Sequence, residues 1–319
     1  MNASAVLPNS KHLLDLSLKE KQRFLDSFDF VLTDCDGVVW NIYGPIEGTG
    51  QAISHLKNYG KHVVYVSNNS VRPLANYKQQ IQSLGQEVAE EDIVNPALSV
   101  VKYLKSINFS GLIYAIGTEE FVKVIRDGGY DVLTGPNEPQ PETLRNIISV
   151  VHDKKPVKAV IIDYDYNCNN IKLMRAQLYL KSDSDCLLIA GATDYSVPVT
   201  SDFQVLGPGF YVDILEKIGS KKARVLGKPG HLLGTLLKEQ YKINSSQRGL
   251  FIGDMIAQDV AFGKVAGFQT LLVLTGGTKL ADFQALGNDD VRPDYYTGSF
   301  ADLGQIVQEV VALENKANL

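Results

Sequence analysis

The sequence predicts an α/β fold with a doubly wound parallel sheet, and two observations lead to this prediction. Short apolar segments rich in β-branched residues alternate with segments whose apolar residues recur at helical spacing, as expected of parallel strands joined by crossover helices. Several apolar segments run directly into polar, turn-forming clusters, as expected where the strands of such a sheet reach their carboxyl ends. The chain has 319 residues, which is enough for one large domain or two modest ones.

The first hundred residues alternate between predicted strands and predicted helices. Ser17 followed by Glu20 forms a capping-box pattern, which predicts the start of a helix. Gly60 and Gly85 stand where helices are expected to stop. The predicted elements are a helix over 17–27, a buried strand that includes 30–33, a helix over 47–59, a strand over 62–66 and a helix over 74–84.

The rest of the chain continues the alternation. The middle third has predicted strands over 111–117, 159–166 and 186–194, with predicted helices over 118–128, 141–152 and 170–182. The last third has predicted strands over 249–254 and 269–277, with predicted helices over 231–241, 256–266 and 299–314. Crossover helices between buried strands place helices on both faces of a sheet.

The composition excludes several classes of protein. A net charge of −5 and a pI near 5.6 argue against nucleic acid as a partner, because such binders carry a basic surplus. No run of 18 apolar residues is present, and the N-terminus lacks a basic start with a long apolar core, so we expect neither a membrane partner nor a signal peptide. Cys35, Cys168 and Cys186 have no CxxC spacing, which favours a reducing, cytoplasmic location without disulfides or zinc.

Polar clusters follow three of the predicted strands, and a fourth lies in a Gly/Pro turn. Asp34 and Asp36 come directly after the first buried strand, and Ser67 opens the cluster "SNNS" after the second. Asp254 ends the strand over 249–254, and Lys228 lies in "GKPG". Because ligands of open parallel sheets bind at the carboxyl ends of the strands, we expect these clusters to form one site.

This mixture of residue types suits phosphoryl transfer. Carboxylates balance a hard cation such as Mg²⁺, and the cation, a lysine and loop N–H groups stabilise the negative oxygens of a phosphoryl group. One aspartate can attack phosphorus to form an aspartyl-phosphate. A second carboxylate two residues away, on the same side if the strand continues, can protonate the leaving oxygen and then activate water. Asp34 and Asp36 have this spacing.

The four clusters, in this order, resemble the motifs of the haloacid dehalogenase (HAD) superfamily of phosphatases. The matching stretches are "DCDGVVW", "SNNS", "GKPG" and "GDMIAQDV". The resemblance covers about residues 17–310 and is to the branch that contains phosphoglycolate phosphatase, pyridoxal phosphatase and 4-nitrophenylphosphatase. It implies a Rossmann-like, doubly wound parallel-sheet HAD core with an inserted α/β cap domain, and a phosphoric monoester hydrolase as the activity.

The resemblance also implies the catalytic roles. Asp34 is implied as the nucleophile and Asp36 as the general acid and base, while Lys228 clamps the nucleophile and the phosphate. The phosphoryl group is implied to bind to Lys228 and to three further residues, Ser67, Asn68 and Asn69.

The implied cofactor is Mg²⁺. Its implied ligands are the carboxylates of Asp34 and Asp254 and the main-chain carbonyl of Asp36. Asp259 is implied to lie in the second shell, where it orients the metal's waters or Lys228.

The spacing of the motifs predicts where the cap is inserted. Only 30 residues separate Asp36 from Ser67, which is room for one helix and one strand. Roughly 160 residues separate Asn69 from Lys228, far more than a crossover needs. We therefore expect a cap over 103–222 and a discontinuous core over 1–102 and 223–319, and the resemblance implies a homodimer through the cap.

Departures from the family pattern leave alternatives open. Relatives usually carry arginine where this chain has Met255 and threonine or a similar polar residue where it has Gln258. The stretch 163–170 ("DYDYNCNN") is also unlike the usual family sequence. Pyridoxal phosphatase has a histidine in place of Val197, so a small phosphorylated metabolite like phosphoglycolate is favoured as substrate. The alternatives are a pyridoxal phosphate phosphatase, or a catalytically weakened paralogue that binds phosphoesters or a protein. A receiver-like phospho-acceptor is disfavoured by the large insertion.

Overall fold

A computed structural model of the chain describes residues 10–200, 203–243, 248–287 and 291–317. Its described residues divide into two units. The first unit takes its residues from Met1–Ser67, Leu74–Val94 and Leu237–Leu319, and the second consists of Asn68–Pro73 and Asn95–Leu236. The second unit thus starts before and ends after the range 103–222 expected for the cap, and the predicted domain boundaries stay a prediction.

Along most of the described residues, strands and helices alternate as predicted. The strands are β1 (Lys11–His12), β2 (Phe30–Thr33), β3 (Trp40–Asn41), β4 (Gly44–Pro45), β5 (His62–Val66), β6 (Ile93–Val94), β7 (Leu112–Ile116), β8 (Val132–Leu133), β9 (Val157–Ile162), β10 (Leu187–Ala190), β11 (Ser196–Thr200), β12 (Phe203–Leu206), β13 (Arg224–Val225), β14 (Gly249–Gly253), β15 (Gln269–Val273) and β16 (Tyr295–Thr297). The helices are α1 (Leu18–Leu25), α2 (Thr49–Asn58), α3 (Leu74–Ser83), α4 (Pro96–Ser106), α5 (Glu119–Asp127), α6 (Leu144–Val151), α7 (Asn170–Ser182), α8 (Gly209–Gly219), α9 (His231–Tyr241), α10 (Ala261–Ala266), α11 (Leu280–Gln284) and α12 (Ala301–Ala317).

The first unit is built on a seven-stranded sheet in which every pair of neighbouring strands is parallel. The strand order is β1-β16-β15-β14-β2-β5-β6, so β2 lies between β14 and β5. On one face, Val31, Ile252 and Leu271 join a core cluster with buried side chains of α1, α2 and α12. On the other face, Leu272 packs with Phe283 of α11. Helices on both faces bury the central strands, which is why these strands read as continuous apolar runs.

The second unit has a parallel sheet of its own, with the strand order β13-β10-β9-β7-β8. Alternate residues of β9 face opposite sides of this sheet. Ile161 packs in a cluster with residues of α4 and α5, whereas Val160 packs in a cluster with residues of α7 and α8. The predicted fold class, a parallel α/β core with an inserted α/β region, is therefore confirmed.

Several element boundaries differ from the sequence-based expectation. The strand predicted over 159–166 ends at Ile162, where the Asp163 carboxylate accepts the main-chain N–H of Tyr164. The strand predicted over 186–194 ends at Ala190 and is followed by an antiparallel pair, β11 and β12, that the sequence did not predict. The helix predicted over 256–266 begins with one π-helical turn, Ile256–Val260, before α10.

Other sequence-based expectations agree with the structure. Ser17 and Glu20 form the predicted capping box at the start of α1, with hydrogen bonds in both directions. The three cysteines are free thiols in this structure. Among the described helices, none combines the length and the apolar character needed to cross a membrane.

The position of β2 at the centre of the first sheet predicts a large effect of Leu32→Ala on stability. Leu32 is fully buried, so its truncation should lower the free energy of unfolding by about 2–5 kcal/mol. Leu280→Ala is a matched control, because the Leu280 side chain is 44% exposed and its truncation should cost within about 0.5 kcal/mol. Urea unfolding can be followed by the fluorescence of the single tryptophan, Trp40, which lies in the core of the first unit. Equal losses in the two variants would contradict the burial of β2.

Candidate active site

The turn after β2 presents the first two aspartates. The carbonyl of Cys35 accepts the main-chain N–H groups of Val39 and Trp40, at 2.8 and 3.1 Å, which closes a tight turn. The indole Nε1–H of Trp40 donates to Asp36 Oδ1 at 3.0 Å. Trp40 itself is buried in the core, so the half-buried Asp36 carboxylate is tied to a fixed point of the first unit.

Asp34, the first residue after β2, is oriented by hydrogen bonds to the neighbouring strand and to its own loop. Its main-chain N–H donates to the carbonyl of Ile252 in the neighbouring strand β14, at 2.8 Å. Its Oδ1 accepts the N–H of Cys35 at 2.7 Å, and its carbonyl accepts the hydroxyl of Thr33 at 2.8 Å. The Asp34 side chain is thus held in one orientation at the carboxyl end of β2, as a positioned nucleophile requires.

Three buried carboxylates converge at this edge of the sheet. Asp34, Asp254 and Asp259 each offer an oxygen, and these oxygens lie within 4.8 Å of one another. Like charges this close repel each other strongly when they are removed from water. A bound divalent cation balances them, and carboxylate oxygens are the ligands that Mg²⁺ and Ca²⁺ take in proteins. The residues present therefore fit a divalent metal ion.

Asp259 also accepts hydrogen bonds from the main chain next to Asp254. Its Oδ2 accepts the main-chain N–H groups of Asp254 and Met255, at 3.1 and 3.0 Å. Asp259 lies on the π-helical turn after β14, so these hydrogen bonds connect that turn to the first two residues after the strand. These two hydrogen bonds hold Asp254 in place, which supports a role for Asp259 beside the metal ligands; that role stays a prediction.

A loop that the sequence analysis did not assign to the site completes the surroundings of Asp254. Gly277 donates its N–H to Asp254 Oδ2 at 2.5 Å, and Thr278 donates its N–H to the carbonyl of Asp254 at 3.0 Å. The Thr275 hydroxyl donates to the carbonyl of Gly37 at 2.6 Å. The available signal was the pair of glycines in "LTGGT", directly after β15, where another strand reaches the same edge.

Gly37, in the first motif, lies very close to the Asp254 carboxylate and to the loop after β15. Its φ is +84°, a conformation that other residues rarely adopt. A Cβ at this position would lie 2.5 Å from Asp254 Oδ2, inside van der Waals contact. Glycine is therefore required between the first motif and the Asp254 carboxylate.

Ser67 directly follows β5, in the same unit. The Tyr77 hydroxyl donates to Ser67 Oγ at 2.9 Å, and the main-chain N–H of Ser67 donates to the carbonyl of Val94 at 2.9 Å. Ser67 and Tyr77 are both buried, so this hydrogen bond holds Ser67 Oγ in place. That it binds a phosphoryl group stays a prediction.

Asn68 and Lys228, two further predicted site residues, meet in the second unit. The Asn68 side-chain amide pairs with the backbone of Lys228: its Oδ1 accepts the Lys228 N–H at 2.8 Å, and its Nδ2 donates to the Lys228 carbonyl at 3.0 Å. Lys228 is buried.

Asn69, the third predicted residue of this loop, binds the loop itself. Its Oδ1 accepts the N–H groups of Val71 and Arg72, both at 3.1 Å, so this side chain stabilises the turn.

Sequence comparison identifies the family of this chain. A family model described as haloacid dehalogenase-like hydrolase matches residues 31–131, and a second, described as HAD-hydrolase-like, matches residues 207–303. Phosphoglycolate phosphatase 2 from Arabidopsis thaliana is 31% identical over 92% of this chain and 98% of its own length. The chain belongs to the haloacid dehalogenase-like hydrolases. The predicted family is thereby confirmed, and the predicted enzyme class, a phosphatase, agrees with the name of this relative.

Solved structures of haloacid dehalogenase-like hydrolases have the same fold. The p-nitrophenyl phosphatase from Archaeoglobus fulgidus superposes with a TM-score of 0.73 at 22% identity, over 88% of this chain and 99% of that one. A glycerol phosphate phosphatase from Mycobacterium tuberculosis, in complex with magnesium, superposes with a TM-score of 0.69 at 23% identity, over 89% of this chain and 78% of that one. At these identities the likeness establishes the fold alone.

The close approach at Gly37 predicts that Gly37→Ala lowers phosphatase activity. The added methyl group would displace the Asp254 carboxylate, and a shift of about 1 Å in a catalytic group can cost about 100-fold in kcat/KM. Gly85→Ala is the matched control, because Gly85 also has positive φ (+74°) but no atom within 4 Å of the added methyl group. Steady-state kinetics on p-nitrophenyl phosphate would measure both variants. A wild-type kcat/KM in Gly37→Ala would contradict the prediction, because it would show that activity does not depend on the close contact between residue 37 and the Asp254 carboxylate.

Proposed function

We propose that this protein is a Mg²⁺-dependent phosphatase that hydrolyses small organic phosphomonoesters through an aspartyl-phosphate on Asp34. The observation that carries the proposal is the cluster of Asp34, Asp254 and Asp259, buried at the carboxyl ends of neighbouring strands. A nucleophilic carboxylate beside two further carboxylates suits a reaction in which a cation offsets the negative charge of the substrate.

The proposed first step transfers the phosphoryl group to the enzyme. A carboxylate oxygen of Asp34 attacks phosphorus, a new oxygen–phosphorus bond forms, and the bond from phosphorus to the leaving oxygen breaks. Asp36 gives its proton to the leaving oxygen. The hydrogen bonds from Cys35 to Asp34 and from Trp40 to Asp36 support this division of roles, because each carboxylate is fixed separately. When bound, Mg²⁺ supplies positive charge that draws the phosphoryl oxygens and the carboxylates together.

The proposed second step releases phosphate. Asp36, now ionised, takes a proton from water, and the water oxygen attacks phosphorus while the bond to Asp34 breaks. Inorganic phosphate leaves and Asp34 is restored. We assign the binding of the phosphoryl oxygens to Ser67, Asn68, Asn69 and Lys228, on the strength of the family resemblance.

A phosphoglycolate-like substrate is favoured within this proposal. The similarity to a phosphoglycolate phosphatase supports it, and so does Val197, since pyridoxal phosphatase has a histidine there. A pyridoxal phosphate phosphatase is the alternative substrate class. Phosphoglycolate, pyridoxal phosphate, glycerol phosphate and sugar phosphates, compared by kcat/KM with Mg²⁺, distinguish the two.

The proposal also extends to the assembly and location of the protein. We propose a homodimer formed through the inserted region and a cytoplasmic location, both supported by the family resemblance. The three free cysteines agree with a reducing compartment. Light scattering coupled to size-exclusion chromatography would give the mass of the assembly.

A weakened paralogue without catalysis is the competing function. Met255 and Gln258, at positions where relatives usually carry arginine and threonine, are the residues that favour it. Purified protein with Mg²⁺ that leaves the whole phosphomonoester panel intact would establish it. Full activity with Mg²⁺ and its loss in EDTA would support the phosphatase.

The two proposed steps predict different defects in Asp34→Asn and Asp36→Asn. Asp34→Asn removes the nucleophile and should lower kcat on p-nitrophenyl phosphate to background. In Asp36→Asn the first step should still occur, because p-nitrophenolate leaves without protonation. The second step should be slow, because no general base activates the water. Rapid mixing should therefore show a burst of up to one equivalent of p-nitrophenolate from Asp36→Asn and none from Asp34→Asn.

Three results would contradict this assignment. Turnover in Asp34→Asn would exclude Asp34 as the nucleophile. Steady-state activity of Asp36→Asn equal to wild type would exclude Asp36 as the general base. A burst in Asp34→Asn would move the covalent intermediate to another residue.

A further inference from the structure

Two buried carboxylates of the second unit lie outside the predicted site residues. Asp163 directly follows β9, and Asp194 lies four residues after β10, so both stand at the carboxyl edge of the five-stranded sheet. Their exposed fractions are 1% and 9%. Both carboxylates bind the segment Asn68–Pro73, which follows Ser67 and belongs to the second unit.

Asp194 determines how the Asn68 amide is oriented. Asn68 Nδ2 donates to Asp194 Oδ2 at 3.1 Å. An ionised carboxylate only accepts hydrogen bonds, so it selects the orientation in which Nδ2, and not Oδ1, faces Asp194. In that orientation Oδ1 is directed to the N–H of Lys228, at 2.8 Å. The Asp194 carboxylate thereby fixes the amide that pairs with both main-chain groups of Lys228.

Asp163 holds the other end of the same short segment. Its Oδ1 accepts the Ser70 hydroxyl at 2.5 Å and the N–H of Tyr164 at 2.6 Å, and its Oδ2 accepts the N–H of Ala192 at 2.9 Å. Three donors for one buried carboxylate offset much of its desolvation. Ser70 is also buried, so this anchor is shielded from competing water.

Two glycines permit these contacts. A Cβ at Gly191 would lie 1.8 Å from Asp163 Oδ2, and a Cβ at Gly227 would lie 2.9 Å from Asn68 Oδ1. Burial raises the pKa of Asp163 and of Asp194 to about 6 in each case, with the Lys228 charge acting in the opposite direction on Asp194. Both groups are therefore ionised acceptors at neutral pH.

We propose that Asp194 and Asp163 are positioning residues for phosphoryl transfer: Asp194 holds Asn68 and, through it, the backbone of Lys228, and Asp163 holds Ser70. The inference rests on the proposed function, in which Asn68 and Lys228 bind the phosphoryl group. Neither carboxylate touches the reacting atoms in this proposal.

The test compares substitutions at Asp194 that keep or remove the acceptor. Asp194→Ala removes it, and kcat/KM on p-nitrophenyl phosphate with Mg²⁺ should fall about tenfold or more, the loss expected for a hydrogen bond to a charged group. Asp194→Asn keeps an acceptor oxygen but loses the charge, so its kcat/KM should lie between those of the wild type and Asp194→Ala. Asn68→Ala should lose at least as much as Asp194→Ala, because it also removes a proposed phosphoryl-binding side chain. The double variant should lose less than the product of the two single losses, because Asp194 acts in part through Asn68.

Ser70→Ala tests the second anchor. Asp163→Ala would remove the acceptor of two main-chain N–H groups, those of Tyr164 and Ala192, and so destabilise the unit, whereas Ser70→Ala removes only the hydroxyl. We expect a loss of about three- to tenfold in kcat/KM, as for a neutral hydrogen bond at the upper end of its usual range.

Hydrogen exchange gives a readout that does not depend on catalysis. Amide exchange in peptides that contain 68–73 and 227–229 should be faster in Asp194→Ala than in wild type, with Asp194→Asn between the two. Asp153→Ala is the matched control: it breaks a partly buried ion pair with Arg175 (2.6 Å). Asp153 precedes β9, whereas Asp163 and Asp194 lie after the carboxyl ends of β9 and β10. It should lower Tm without changing exchange in these peptides or kcat/KM.

The outcomes separate this inference from the proposed function. Wild-type kcat/KM and wild-type exchange in Asp194→Ala, or losses in Asn68→Ala and Asp194→Ala that multiply in the double variant, would overturn it. If wild-type protein hydrolyses no phosphomonoester, the proposed function fails, and exchange alone decides whether Asp194 positions Asn68 and Lys228. Unchanged exchange in Asp194→Ala would then overturn the inference as well.

Discussion

The repulsion among three buried carboxylates is the constraint on which the candidate active site depends. Asp34, Asp254 and Asp259 are brought within 4.8 Å of one another in a place largely closed to water. Such an arrangement is costly unless a cation or hydrogen-bond donors offset it. The first unit supplies main-chain donors from Cys35 to Asp34 and from Gly277 to Asp254, and the remaining charge matches a divalent metal ion.

The sheet topology brings these carboxylates together. Asp34 and Asp254 are far apart in sequence, but β2 and β14 are neighbours in the sheet and run in the same direction. Parallel strands end at the same edge, so residues that follow them meet there without further adjustment. The loop after β15 reaches the same edge and closes over Asp254, which is possible only because glycine stands at 37 and 276. Packing of the sheet, and not local sequence, thus sets the distances in the site.

The sequence predicted the parts of this arrangement that have a local signal. Buried strands ending in aspartates are visible as patterns, and their order along the chain matched a known set of motifs, so Asp34 and Asp254 could be placed at one edge. The donors from Gly277 and Thr278 were missed, because a glycine pair after a strand is also typical of ordinary turns. Asp163 and Asp194 were missed for a different reason. Their partners, Ser70 and Asn68, lie more than ninety residues away in sequence, and no periodic pattern records such a contact.

Thermal unfolding with and without Mg²⁺ tests the central claim most directly. If the three carboxylates repel each other until a cation binds, Mg²⁺ should raise the Tm of the wild-type protein above its value in EDTA. Asp254→Asn removes one charge, so its Tm in EDTA should equal or exceed that of the wild type in EDTA, and its response to Mg²⁺ should be lost. A wild-type Tm that is the same in EDTA and in saturating Mg²⁺ would contradict the account.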